Sequence, residues 1–202
     1  MAGDAAATSA NIAGNATLFR LGFVSDLVGI TFYVLLAMAL YMLLRHVNAE
    51  AASAMVVFVA LAAAILSINT LNHFAALMVA TQERLASLGG SDALVLMVLE
   101  LHEHGYRIAQ IFFGLWLLPL GYFAYRSSYF PRPLGVLLMV AALTHLVEML
   151  THFLLPDLGP TIILAIQAPA IVAEFWMIGY LLIKGVRTPS RKESVPDAAS
   201  AS

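Results

Sequence analysis

The sequence predicts an all-α fold, a polytopic transmembrane helical bundle of five spans with a short interfacial helix in the 81–105 connection. Composition is the first reason: 61% of the 202 residues are hydrophobic and 11% are charged, where a soluble domain carries about a quarter charged. Ten Lys+Arg and twelve Asp+Glu are too few to cover a water-facing surface, and the mean hydropathy is +0.89. The second reason is the layout. Apolar sequence comes in runs near the ~20 residues that cross a hydrocarbon core, and short polar turns separate them.

Residues 1–20 are small and polar. They lack the basic start and apolar centre of a signal peptide, and form a polar N-terminal segment on the outer side. The first span runs from Leu21 to Leu44 and stops at Arg45-His46. A second, from Ala51 to Val79, is interrupted only by Ser67, Asn69, Asn72 and His73. The 81–105 connection is richer in charge and contains the Gly89-Gly90 break. Its apolar stretch Ala93 to Glu100 is too short to span and reads as an interfacial or re-entrant helix leading into the next span. The third span covers Tyr106 to Tyr125, or starts a few residues earlier, and the prolines of Pro131-Arg132-Pro133 mark the handover to the next helix. Leu134 to Leu155 is the fourth span. The fifth runs from Thr161 to Ile183, with Pro169 as an expected kink. Residues 21–183 thus form a single transmembrane domain, and the polar tail 184–202 is expected to be disordered.

Charge sets the orientation. Arg45, Arg126, Arg132, Lys184, Arg187, Arg191 and Lys192 fall on one side, seven of the ten basic residues. The positive-inside rule places that side in the cytoplasm of a bacterial inner membrane, with the N-terminus outside. A net charge of −2 without a basic run in the body argues against nucleic acid as a partner. The absence of cysteine excludes disulfides, thiolate nucleophiles and Cys-ligated metals, and no phosphate-cradling glycine loop is present. The lipid bilayer is the one partner implied. Oligomerisation and a small-molecule or lipid substrate stay open.

Three stretches resemble the bacterial membrane family DUF4386, a family of unknown function. They are Asp4 to Asn48; Ile108-Ala-Gln-Ile-Phe-Phe-Gly-Leu-Trp-Leu-Leu-Pro-Leu-Gly-Tyr122, with Tyr125-Arg126-Ser127 and Pro131 to Val136; and Glu174 to Gly185. The resemblance covers nearly the whole chain and implies no reaction. It implies a further span ahead of the segment matching Asp4 to Arg20, so that this chain carries five of six spans. It also implies that the acid at Glu174 has a structural role common to the fold. In the fourth span the family pattern is aromatic and small residues with an occasional Asp, from which the His-Glu-His spacing here departs.

That spacing is the main candidate for chemistry. His145, Glu148 and His152 stand at i, i+3 and i+7, one stripe of a helix. His73 lies toward the outer half of the second span, and Glu100, His102, Glu103 and His104 precede the third; only His46 lies on the opposite side. Imidazoles and carboxylates meeting at one depth can ligate a divalent ion. The sharp expectation is a metal centre built from His73, His145, Glu148 and His152, completed by His102 or His104, holding Zn, Fe, Mn or Cu, or a haem iron. Glu103 or Glu148 would then serve as the catalytic carboxylate. The plainer expectation is a polar bundle in which His145 and Glu148 bond to each other and to Asn69 or His73. Glu174, in mid-span, is either a proton-path residue, as in a proton-coupled transporter, or a neutral acid bonded to a carbonyl freed by Pro169. Asp26 is expected to pair with Arg20 or Arg107.

Overall fold

A computed structural model describes residues 4–86, 90–127, 129–155 and 157–185. In chain order the elements are α1 (Ala5–Gly14), α2 (Ala16–Leu44), α3 (Ala49–Thr81), α4 (Glu83–Ala86), α5 (Ser91–Arg126), α6 (Arg132–Leu154) and α7 (Pro160–Ile183). Five of these, α2, α3, α5, α6 and α7, are long and apolar enough to cross a membrane. Among the described residues there is no strand. The chain is a multi-pass membrane protein.

Local signals start the helices where they start. Asp4 caps α1, its Oδ1 accepting from Ala7 N at 3.0 Å, and Asn48 caps α3 by accepting from Ala51 N at 3.0 Å. Gly90, at φ +83°, turns the chain into α5. Pro131 precedes α6, whose first turn also carries a proline.

The long spans pack in a row, α2 on α3, α3 on α5, α5 on α6 and α6 on α7. Half of the apolar stretch of α5 is buried, against 17% of the corresponding stretch in α2 and in α7. α5 is therefore the central helix, and α2 and α7 present most of their surface to lipid.

Two cores result. The larger lies toward the end where α2, α5 and α7 finish and α3 and α6 begin, here the basic end; Leu44, Met55, Leu117, Phe123, Leu134 and Leu138 fill it. At Gly121 an added Cβ would meet the Gly135 carbonyl at 2.8 Å, and at Gly135 one would meet that of Gly121 at 2.7 Å. Backbone touches backbone there, and no side chain fits between. A smaller core at the other end, the cap end, joins Ile12 of α1, Ala76, Leu77 and Val79 of α3 and Val95 of α5, with Phe19 and Leu85 against it. At 1.5 Å per residue, α3 and α5 are each roughly 50 Å long, well beyond the ~30 Å of hydrocarbon. Their excess length carries the cap.

Some element boundaries differ from the sequence expectation. Residues 5–14 are helical and packed, not only polar. The first span begins at Ala16, five residues before Leu21, because Phe19 belongs to the cap core. The stretch 93–100 is helical as expected, but it continues without a break into the third span. Between Ser91 and Arg126 the helix runs through Gly105, Gly114, Pro119 and Gly121. α7 also runs through Pro169 as one helix. The expected disorder of the tail falls on 186–202, outside the described residues.

Candidate metal centre and the polar ladder beside it

The first polar group forms where α2, α3 and α5 meet at the cap end. α2 contributes Asp26, α3 contributes His73, and α5 contributes His102; one ligand atom from each lies within 4.8 Å of the other two. A His/His/Asp cluster of this kind can coordinate a metal ion. His73 Nδ1 is 3.3 Å from Asp26 Oδ2, and the two imidazole rings are 5.4 Å apart. Phe19 and Phe23, on the same stripe of α2 as Asp26, hold the His73 ring edge-on at 4.2 and 6.2 Å.

Asn69 fixes the third member. Its Nδ2 donates to the backbone carbonyl of His102 at 2.7 Å, and its own carbonyl lies 3.1 Å from His102 Nδ1. The same Nδ1 lies 3.3 Å from Asn69 Nδ2; in the tautomer whose Nδ1–H donates to the Asn69 backbone carbonyl, Nε2 is the free ligand atom, the usual support for a metal-bound imidazole. Asn72 Nδ2 donates to Asn69 Oδ1 at 3.2 Å and orients the carboxamide. α5 comes this close to α3 because residue 105 is glycine: a Cβ there would collide with the Asn69 carboxamide.

The second group runs along α6. His145, Glu148 and His152 share the expected stripe, but each turns to a different partner. His145 Nε2 lies 2.9 Å from Glu174 Oε1 on α7, while its Nδ1 is buried with no hydrogen-bond partner. Glu148, 3% exposed, is ion-paired with Arg107 of α5 and accepts from Gln167 of α7. Arg107 also reaches Glu103 at 3.8 Å. His152 Nε2 faces His104 Nδ1 at 3.1 Å. His104, Arg107, Glu148, Thr151 and His152 line a cavity of about 140 Å³.

Of the residues expected to share one centre, the structure brings His73 and His102 together and sets His145, Glu148, His152 and His104 in this ladder. α5 lies between α3 and α6, so the expected bonds from His145 and Glu148 to Asn69 or His73 do not form. Asp26 pairs with His73, not with Arg20 or Arg107. Glu174 binds an imidazole instead of a freed carbonyl. His46 is at the basic end as expected, its Nε2 3.3 Å from the Tyr129 hydroxyl.

Sequence reasoning did not single out Asp26 as a ligand, Arg107 and Gln167 as the partners of Glu148, or Gly105 as a packing requirement. One signal was available. His73 stands 24 residues from Ala49 and His102 stands 24 residues from Arg126, so both lie about 36 Å from the basic end of their helices. Reading the third span as starting at Tyr106 hides this match.

No curated protein and no solved structure matches the chain. A family model does: the one described as a domain of unknown function, DUF4386, matches residues 1–185. This five-span helical chain, with five of its six histidines on α3, α5 and α6 and a His/His/Asp cluster where α2, α3 and α5 meet, belongs to the DUF4386 family.

Proposed function

We propose that this protein binds one divalent first-row metal ion, Zn²⁺, Fe²⁺ or Mn²⁺, through Asp26, His73 and His102. The observation that carries the reading is the convergence of these three ligands within 4.8 Å, supported by the Asn69 carbonyl behind His102. Two imidazoles and one carboxylate leave coordination positions open. An oxygen ligand beside the two nitrogens favours an ion over haem iron. An enzymatic form of this reading needs a base beside the metal. Both carboxylates expected for that task turn to Arg107, Glu103 at 3.8 Å and Glu148 with a further bond from Gln167, and neither is among the three converging ligands.

The test is metal titration of chelator-stripped, detergent-purified protein. One equivalent bound by the wild type, lost in Asp26→Asn and His73→Ala but kept in His152→Ala, supports the centre. Equal binding by all four proteins would sink it.

Basic residues gathered at one end support an orientation with that end in the cytoplasm of a bacterial membrane. Since the chain has no cysteine, thiols introduced singly at Glu50 and Glu83 are unique reporters. On intact cells an impermeant reagent should label the Glu83 site and spare the Glu50 site.

One observation favours a second role, proton transfer. The His145–Glu174 pair sits inside the spans with a ring nitrogen left without a partner, and a buried acid–imidazole pair can pass a proton. Proton flux into liposomes that survives Glu174→Gln unchanged would remove this role.

A further inference from the structure

Beside the metal ligands lies a larger space. α2 packs its backbone on α3 and bridges to α5 through side chains, Tyr33 against Phe113 at 5.4 Å and against Trp116 at 5.3 Å. Above that bridge a cavity of about 450 Å³ opens between the helices, a size typical of small-molecule sites.

Its lining changes along its length. Asp26 and His102, two of the three metal ligands, stand at one end with Ser25 and Thr70; Ile30, Tyr33, Leu66 and Phe113 line the other. Asp26, Gly29, Ile30 and Tyr33 follow one another at i, i+3, i+4 and i+7, so one stripe of α2 forms a wall roughly 10 Å long. Tyr33 closes the apolar end with its ring, packed on Phe113 and Trp116, while its hydroxyl is buried away from the cavity. Gly29 lines the middle, and a Cβ added there meets nothing within 4 Å. That open space belongs to the cavity, not to the packing of the bundle.

We infer that the cavity holds a single-chain amphiphile, its anionic oxygen head on the metal ion at Asp26 and His102 and its apolar body against Ile30, Leu66 and Phe113. The head-on-metal part rests on the metal reading above. A divalent ion held by one carboxylate and two neutral imidazoles keeps a net positive charge, which selects an anionic oxygen donor. The aliphatic and aromatic lining selects a chain.

The test uses 1-oleoyl lysophosphatidate as the probe and glycerol 3-phosphate as its tail-less counterpart, titrated into zinc-loaded protein in maltoside detergent. The wild type should take the tailed probe at least tenfold more tightly. Gly29→Leu puts a side chain into the cavity without touching the bundle, and should weaken the tailed probe tenfold or more while zinc stoichiometry and helical circular dichroism stay at wild-type values. Equal affinity for the tailed probe in wild type and Gly29→Leu overturns the inference and leaves the metal centre standing, as does glycerol 3-phosphate binding as tightly as the tailed probe. Gly29-dependent binding in a protein that holds no zinc supports the cavity and overturns the metal reading.

Discussion

The two ends of this bundle are held together differently. Toward the basic end, α5 and α6 meet through glycine, Gly121 against Gly135, and a Cβ on either would strike backbone. Toward the cap end the same helices meet through reaching side chains, Arg107 to Glu148 and His104 to His152, and α3 meets α5 through Asn69. Close packing leaves no room for a ligand. Between α5 and α6 the long polar bridges hold the backbones apart, and the cavity beside Glu148 and His152 lies among them; the cavity beside Asp26 and His102 opens where α2 reaches α5 only through side chains. In hydrocarbon both means of joining are needed, because the lipid supplies little hydrophobic drive between helices.

The contrast can be broken most severely at the buried ion pair. Glu148→Ala leaves the Arg107 charge without its counter-ion, and the expected loss is about 3 to 5 kcal/mol in detergent unfolding. The double variant Arg107→Met/Glu148→Leu should recover most of it, and no recovery would mean that the pair does more than cancel charge. Gly135→Leu attacks the other kind of contact and should cost about 3 kcal/mol through overpacking. Gly29→Leu, made in open space, should cost nothing on the same measurement, since leucine is also the better helix former. A matching loss at both glycines would refute the distinction.

Smaller effects sharpen it. Asn69→Ala keeps the backbone carbonyl facing His102 Nδ1 and removes the side-chain bond to the His102 carbonyl, so it should lower metal affinity by about tenfold at most, the low end for loss of a supporting group. Gly105→Ala, whose methyl group would displace the Asn69 carboxamide, should reproduce part of that loss. His46→Ala, at the exposed basic end, should change stability by less than about 0.5 kcal/mol and leave metal affinity unaltered.

The spans were legible because their signal is a local sum. Each needs only a long apolar run between breakers, and Leu44, Arg126 and Ile183 end helices at or within a residue of where the turns predict. The stripe of His145, Glu148 and His152 was legible for the same reason, since three residues on one helix need no knowledge of a neighbour. The partners were not. The apolar stretch 93–100 reads as a separate short helix ahead of the span, yet nothing from Glu100 to His104 stops a helix at a depth where water is near, so α5 runs on and carries His102 up beside His73. That single continuity decides which histidines share a centre.

By itself the sequence determined the class of the protein, its five crossings, the basic end and the residues able to carry chemistry. These depend on transfer of side chains between water and lipid, which composition and spacing record. The tertiary structure alone decided that α5 stands between α3 and α6, that Asp26 joins His73 and His102, and that Arg107 takes Glu148. Such choices depend on helix register and on how closely two backbones approach. Those are set by single residues such as Gly105 and Gly135, whose effect exists only once a second helix is in place.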